Sequence, residues 1–326
     1  MTNVEFYDLK AEILQKIKKK GGFVNTHAHL DRAFTITKEN YKLMNKLRGE
    51  KWKLNKNLRI NSSSDEIYAR MAKAVELLLS QGVQATASFI DVDPDIKDKS
   101  IKAAEKIKEK YGKDIKLKFL NQSSYGILES DSYEWFLKGS EYCDIIGGLL
   151  KADNDRKEEH LDRLFSRAVE LGKMVHIHVD EENTPEEKET ELVCKKIIEH
   201  GLEGRVVGIH GISINCHPKK YREKIYKLIN EAQLMFIACP MSWLNSRRSE
   251  VMTPTHNPVT PVDEMIPAGI TVALGLDNIH DIFMAYNDGN MWNDLRVLME
   301  ANRFYDVEKL VDIATTNGLK VLGLNL

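Results

Sequence analysis

Two histidines separated by a single residue stand at the end of an apolar stretch near the start of the sequence. His27 and His29 follow the run FVNT. Alternate side chains of a β-strand point to the same side, so both imidazoles can reach one metal ion. A His-x-His pair is common by chance in a chain with ten histidines. Its place at the end of a predicted strand is therefore what favours metal binding.

Residue types that ligate metals also end three other apolar runs. Glu181 comes three residues after His178 in VHIHVDE, His210 ends VVGIH, and Asp277 ends VALGLD. In such a site one histidine can join the metal while a nearby carboxylate faces the open coordination position. Each of these residues alone is as consistent with a hydrogen-bonded core or loop group. Four strand ends of this kind together indicate one site.

These residues belong to a regular alternation of apolar and amphipathic stretches. Eight runs of strand length are each followed, after a loop, by a charged stretch with helical spacing. The predicted strands are Gly22 to Thr26, Val83 to Ile90, Ile115 to Leu120, Ile145 to Leu150, Met174 to Val179, Arg205 to Ile209, Gln233 to Ala238 and Ile270 to Leu274. Alternating strands and helices predict parallel strands with right-handed crossovers. Eight units favour an α/β fold of the (β/α)8 TIM barrel type, and an open doubly wound sheet is the alternative.

The predicted helices lie between these strands, and several begin or end at proline or glycine. They are Phe6 to Lys19, Asp65 to Ser80, Lys99 to Lys110, a short helix over Ser130 to Lys138, Arg156 to Leu171, Glu186 to His200, Pro218 to Ala232 and Asn287 to Arg303. Two long stretches, 35–61 and 239–261, receive no secondary structure. Long connections after barrel strands are often functional, so we expect both at the active face.

Length and composition limit the fold and the partners. The 326 residues are 42% hydrophobic, and 47 basic residues nearly balance 49 acidic ones. This composition is typical of a globular protein and argues against nucleic-acid or anionic-membrane partners. We expect one domain over 1–326, with an N-terminal helix in 1–21, the barrel in 22–303 and a C-terminal helix in 304–326.

Targeting signals are not apparent in the sequence. No apolar run approaches the ~20 residues that a membrane helix needs. The N-terminus also lacks the basic, apolar and small-residue order of a secretory signal. We therefore expect a cytoplasmic protein.

The motifs as a set resemble the amidohydrolase superfamily and, within it, the cytosine deaminase-like branch. The segments that carry the resemblance are HAHLD at 27–31, IDVDP at 90–94, HVDE at 178–181, His210 and GLDNIHD at 275–281. They extend over nearly the whole chain. The histidine pair is typical of the superfamily, whereas the Asp-Asn-x-x-Asp segment is closer to the branch. The resemblance supports the barrel, here without the accessory β-sandwich that many members carry.

The resemblance implies a metal cofactor. One divalent ion, Zn or Fe with Mn as a further option, would be coordinated by His27, His29, His178 and Asp277. Three imidazoles and a carboxylate suit each of these metals.

The resemblance also implies roles for residues around the metal. Glu181 would move a proton from the attacking water to a ring nitrogen and on to the leaving amine. His210 would orient the attacking oxygen, and Asp277 would also accept its proton. Gln122 and Asn278 would bind the substrate ring. Asn278 stands where cytosine deaminase has a second aspartate, which weakens cytosine as the substrate.

The function implied is hydrolytic deamination of a nitrogen heterocycle such as a cytosine-like pyrimidine or a triazine, with release of ammonia. One alternative is a cyclic amide or amine hydrolase of the same superfamily, favoured if Lys151 is carboxylated and bridges two metals. We expect Lys151 to be solvated instead. Another alternative is a non-catalytic barrel that binds a metabolite. The expected partner is a small heterocyclic substrate, and homo-oligomer formation is left open.

Several other residues carry weaker expectations. Arg32 either contacts substrate or pairs with Asp31, and His176 is expected to be a hydrogen-bonded core histidine. Phe89 stands where relatives often have histidine. The candidates for shaping the pocket are Trp243, Arg247, Arg248 and Trp292.

Overall fold

Parallel strands alternate with helices along the chain in a computed structural model that describes residues 7–46, 48–242, 244 and 259–325. The eight strands within this part of the chain are β1 Phe23–Asn25, β2 Val83–Asp91, β3 Lys116–Gln122, β4 Ile146–Leu149, β5 Val175–Val179, β6 Val206–His210, β7 Met235–Ala238 and β8 Val272–Leu274. All eight predicted strands are confirmed, with ends that differ by at most two residues. Within the described residues every strand belongs to this set, so none forms an accessory β-sandwich.

The strands close into a barrel. Parallel pairing joins β1, β2 and β3 in one group and β4 to β8 in order in another. Two single bridges complete the ring, because Ala28 pairs with Asp277 between β1 and β8, and Leu120 pairs with Ile145 between β3 and β4. The (β/α)8 barrel is therefore confirmed and the open sheet is excluded.

The helices surround the barrel. Among the described residues they are α1 Leu9–Lys19, α2 Arg48–Asn61, α3 Ser64–Ser80, α4 Lys99–Tyr111, α5 Ser130–Tyr142, α6 Lys157–Leu171, α7 Glu189–His200, α8 Lys219–Glu231, α9 Val262–Met265, α10 Met291–Asn302, α11 Val307–Ala314 and α12 Thr316–Val321. The α5 helix is longer than predicted, because Phe136 and the small residues Gly139 and Ser140 of its later turns are buried. In the described part of the chain, no helix is long and apolar enough to span a bilayer.

Strand residues are buried on both faces, as a parallel barrel requires. One face packs inside the barrel, in an apolar cluster that includes Phe89, Ile209, Ile237 and Leu319 of α12. The other face packs against the helices in a larger apolar layer. This two-layer core fixes the strands and therefore the direction in which their carboxyl ends point.

Two stretches differ from expectation. The 35–61 region, which has no predicted structure, contains a 3-10 turn at Tyr41–Asn45 and the helix α2. The 304–326 segment, expected to form one helix, contains α11 and α12 with Thr315 between them at φ −137° and ψ −89°. The single-domain organisation stays a prediction.

Candidate metal centre

Three predicted ligands meet where β1 and β8 end. The Nε2 atom of His27 lies 3.3 Å from Oδ1 of Asp277, and that of His29 lies 3.2 Å from the same oxygen. His178 approaches from β5, with its ring centroid 5.0 Å from that of His27. Ligand atoms of the three histidines all lie within 4.8 Å of one another. The structure thus brings together His27, His29, His178 and Asp277, which we call the metal centre.

The donor atoms of the metal centre fit a divalent cation. Both ring nitrogens of His27 are buried and have no hydrogen-bond partner among the described residues. Burial lowers the pKa of His178 to about 3. Burial alone would raise the pKa of Asp277, but the adjacent His27 and His29 outweigh it and hold that pKa well below its usual range. Neutral imidazoles and an ionised carboxylate are the forms that ligate metals.

Glu181 and His210 lie beside this centre. The Nε2 atom of His210 is 3.8 Å from Oε1 of Glu181 and 3.9 Å from Oδ2 of Asp277. Both side chains are almost fully buried. His210 also lies close enough to His27 and Asp277 for the three to share a cation. Geometry alone therefore leaves His210 either as a ligand or as a group that orients the attacking oxygen.

The backbone turns sharply where these strands end. His210 and Asp277 have φ values of 79° and 62°, a left-handed conformation that costs a non-glycine residue about 1–3 kcal/mol and clusters at functional sites. Gly275 precedes Asp277, and a Cβ atom there would lie 2.8 Å from Cβ of His27. Glycine is thus required for β8 to approach the histidine of β1.

The two expected substrate-binding residues lie at neighbouring positions around the mouth of the barrel. Gln122 is the last residue of β3, and its buried Oε1 atom has no hydrogen-bond partner in the described part of the chain. Asn278 follows Asp277, and its Oδ1 atom accepts a hydrogen bond from Arg32 at 3.3 Å. Gln122 therefore retains a carbonyl oxygen for a ligand, whereas Asn278 is oriented by Arg32.

Arg32 does not pair with Asp31. Its Nε atom lies 3.6 Å from Oδ2 of Asp281, while Asp31 accepts a hydrogen bond from the backbone N–H of Asp91 at 2.8 Å. The expectation of an Arg32–Asp31 pair is wrong, because Asp31 points toward β2 and stabilises the loop that follows it.

Comparison with known proteins decides the family. The model of the amidohydrolase family matches residues 21–326. The chain belongs to the amidohydrolase family. It is therefore a hydrolase that acts on carbon–nitrogen bonds, which disfavours the non-catalytic alternative.

Relatives of this amidohydrolase include an uncharacterized protein of Haemophilus influenzae, 49% identical over 79% of this chain and 95% of the relative. The N-isopropylammelide isopropyl amidohydrolase of a Pseudomonas species is 26% identical over 97% of this chain and 79% of its own. Among solved structures, 5-methylcytosine deaminase of Klebsiella pneumoniae has a TM-score of 0.85 at 22% identity, covering 92% of this chain and 74% of that one. This likeness supports the same barrel fold.

Lys151 of the amidohydrolase is not a solvated lysine. Its side chain is 19% exposed, and Nζ lies 2.8 Å from Glu187, 3.0 Å from Glu182 and 3.5 Å from Glu181. A carboxylated lysine is an anion, and these three carboxylates would repel it. The surroundings therefore favour the ammonium form and argue against a lysine that bridges two metals.

Sequence reasoning missed other contacts of the metal centre. The Ser242 hydroxyl donates a hydrogen bond to Oδ2 of Asp277, although serine in a long loop gives no local signal. Phe89 packs beside the histidines, with ring centroids 5.2 Å from His27 and 4.9 Å from His178. It supplies an apolar wall at the position where relatives often have histidine.

The remaining expectations have mixed outcomes. His176 is a core histidine as expected, with Nε2 2.8 Å from the backbone oxygen of Val321. Trp292 lies on α10 beneath Lys10, whose Nζ is 5.3 Å from the ring, so it packs outside the barrel. The other pocket candidates, Trp243, Arg247 and Arg248, lie outside the described residues.

Proposed function

We propose that this amidohydrolase is a mononuclear, metal-dependent hydrolytic deaminase of an amino-substituted nitrogen heterocycle. The observation that carries the proposal is the convergence of an imidazole cluster, a carboxylate with a lowered pKa and two further acid–base groups on one point at the barrel mouth. These groups are His27, His29, His178, Asp277, Glu181 and His210. A cytoplasmic location and a small heterocyclic substrate belong to the same proposal, and the net charge of -2 favours such a substrate over a polyanion.

The metal centre would hold one ion of Zn, Fe or Mn through His27, His29, His178 and Asp277. Such an ion, when bound, lowers the pKa of a water molecule from ~15.7 toward ~7 and so supplies a nucleophile at neutral pH. The protein contributes the dry surroundings, because Phe89 packs against the imidazoles on one side.

Proton movement is assigned to the two acid–base groups and to Asp277. Glu181 accepts one proton from the attacking water and delivers it to a ring nitrogen, and it later passes the second proton, taken up by Asp277, to the leaving amine. His210, between Glu181 and Asp277, orients the attacking oxygen. The oxygen of water bonds to the ring carbon, that carbon's bond to the amino nitrogen breaks, and ammonia leaves. Asp277 accepts the second proton of the water.

Ring recognition is assigned to the next residues around the mouth. Gln122 offers a buried carbonyl oxygen that can accept a hydrogen bond from a ring N–H. Asn278 is fixed through its oxygen by Arg32, so its amide N–H groups are the atoms left to donate to the substrate. A polar ring edge bearing both donors and acceptors matches these two side chains.

A second candidate is hydrolysis that releases an alkylamine instead of ammonia. The relative that spans 97% of this chain is named for removal of an isopropyl-bearing group from N-isopropylammelide. The same acid–base groups would serve, because only the substituent on the leaving nitrogen differs.

Metal content and amine release test the proposal together. Purified protein would be analysed for metals and assayed for ammonia and alkylamines across aminopyrimidines, aminotriazines, purines, pterins and their N-alkyl derivatives. One equivalent of metal with ammonia supports the deaminase, and alkylamine alone supports the second candidate. Two equivalents without amine release would point to amide hydrolysis, and protein that binds no metal tightly would overturn both candidates.

A further inference from the structure

The helix α2 spans part of the barrel mouth. Near its end, Arg59 reaches the loop after β2, with Nη2 2.7 Å from Asp93 and Nη1 3.1 Å from Asp91. Near its start, Trp52 contacts Phe283 in the loop after β8, with ring centroids 6.4 Å apart. The helix is therefore held at both ends by loops that belong to different strands.

The strand between these two anchors is β1. It pairs with β2 on one side and bridges to the end of β8 on the other. The eight residues from Trp52 to Arg59 extend about 12 Å along the helix axis. Two strands that flank a third lie roughly 10 Å apart, so the helix is long enough to cross one strand. α2 therefore passes over the end of β1, just beyond which His27 and His29 lie.

The face that α2 turns toward the barrel is polar. Lys51, Asn55 and Arg59 are spaced four residues apart and share this face. They are 9%, 6% and 4% exposed, respectively. Arg59 is matched by two aspartates, but Lys51 and Asn55 form no hydrogen bond or ion pair within the described residues. Most of each side chain is buried, but Nζ of Lys51 and the amide atoms of Asn55 are not among the enclosed polar atoms, so they remain accessible to a ligand.

Lys51 shares its carboxylate with a second cation. The carboxylate that acts on Lys51 is Asp281, which also lies 3.6 Å from Nε of Arg32. Asp91 acts on Arg32 as well. Burial lowers the pKa of Lys51, and Asp281 opposes that shift only in part. An anionic group bound at Lys51 would favour its ammonium form.

We propose that Lys51 and Asn55 bind a carboxylate substituent on the heterocyclic substrate. This inference rests on the proposed function and adds a substrate class to it, namely an aminated ring that bears an acidic group. The Lys51 ammonium would donate a charge-assisted hydrogen bond, and the Asn55 amide would donate a second one. Gln122 and Asn278 would hold the ring itself.

Matched ligand pairs test this inference. The probes are cytosine against cytosine-5-carboxylate and cytosine-6-carboxylate, and 2,4-diamino-1,3,5-triazine against its 6-carboxylate, with dissociation constants measured by calorimetry on the metal-loaded enzyme. We expect at least one carboxylate to bind about 10-fold more tightly than its parent ring. Lys51→Met should abolish this preference, Lys51→Arg should keep most of it, and Asn55→Asp should reverse it.

The control is Lys53→Met, because Lys53 lies on the exposed face of the same helix. It should keep the full preference. The inference is overturned if no carboxylate binds more tightly than its parent, or if the preference survives in Lys51→Met. Asn55→Asp and Lys51→Arg decide the matter if Lys51→Met does not fold. Ammonia release from parent rings without a carboxylate preference would reject this inference while leaving the deaminase proposal intact.

Discussion

The metal centre and α2 both occupy the carboxyl end of the barrel, but different parts of the chain hold them in place. The ligands of the metal centre sit on or directly after strands whose pairing fixes them, as the Ala28–Asp277 bridge does for β1 and β8. α2 belongs to a connection between β1 and α3, and long side chains such as Arg59 tie it to neighbouring loops. Strand pairing thus positions the proposed ligands, whereas side-chain contacts position α2.

The two regions also differ in whether their buried polar groups are paired within the protein. In the metal centre, the two buried nitrogens of His27 have no hydrogen-bond partner among the described residues, although Nε2 lies 3.3 Å from Asp277, and an ion can satisfy them. In α2, Arg59 is matched within the protein by Asp91 and Asp93. We therefore expect substitutions in the metal centre to act mainly on catalysis, and substitutions in α2 to act mainly on binding and stability.

The largest expected effect comes from β5, whose two histidines share one face of the strand but have different surroundings. His178 lies beside His27, whereas His176 contacts the backbone oxygen of Val321. His178→Ala should reduce activity to background and weaken metal binding by more than about 100-fold, beyond what loss of a supporting group costs. Metal titration with a spectroscopic competitor measures this. His176→Ala on the same strand should lower thermal stability yet retain one equivalent of metal. Equal metal loss in both variants would contradict the division between centre and core.

The next effect concerns Glu181, which we assign to proton transfer. Glu181→Gln keeps the shape of the side chain but cannot accept the proton of water, so kcat should fall about 100- to 10,000-fold with metal content unchanged. Glu186→Gln changes an exposed glutamate of the same loop and should leave kcat unaltered. Metal loss in Glu181→Gln would instead make Glu181 a ligand.

A smaller effect is expected at Lys151, which lies between the metal centre and the surface. Among the described residues, the groups that face Glu181 include Lys151 at 3.5 Å and His210 at 3.8 Å. Lys151→Met removes the cation that favours the carboxylate form, so kcat should fall about 10-fold and the acidic limb of its pH profile should move to higher pH.

The controls for Lys151 separate charge from packing. Lys151→Arg should restore the pH profile because it restores the positive charge. Lys157→Met breaks a comparable pair, 2.6 Å to the buried Glu189, and should lower stability without moving the profile. A Lys151→Met enzyme with an unchanged profile would show that Lys151 has only a structural role.

The same comparison explains what the sequence could predict. The strands are predictable because apolar runs alternate with helices, and the proximity of His27 and His29 is predictable because they keep the period of a strand. α2 was not readable, since its buried face consists of Lys51, Asn55 and Arg59 and hydrophobic periodicity does not register polar side chains.

Contacts between residues that are far apart in the sequence could not be predicted. Lys151 contacts Glu182 and Glu187, which lie more than 30 residues further along the chain and on a loop after another strand. Arg32 likewise meets Asp281 across the barrel mouth and not its neighbour Asp31. No local pattern encodes such contacts, because they arise only when the barrel closes and brings β1 beside β8.

The smallest expected effect on catalysis comes from Arg59, the anchor of α2. Arg59→Met leaves two buried aspartates without their cation, so the free energy of unfolding should fall by about 3–5 kcal/mol. Because α2 would be held less firmly over the ring, KM should rise several-fold while kcat and metal content stay close to those of the wild type. Lys56→Met, which removes a more exposed pair to Asp95 on the same helix, should cost at most about 1 kcal/mol. Urea unfolding and steady-state kinetics measure both variants, and a fall in kcat that matched the rise in KM would place α2 within the catalytic apparatus.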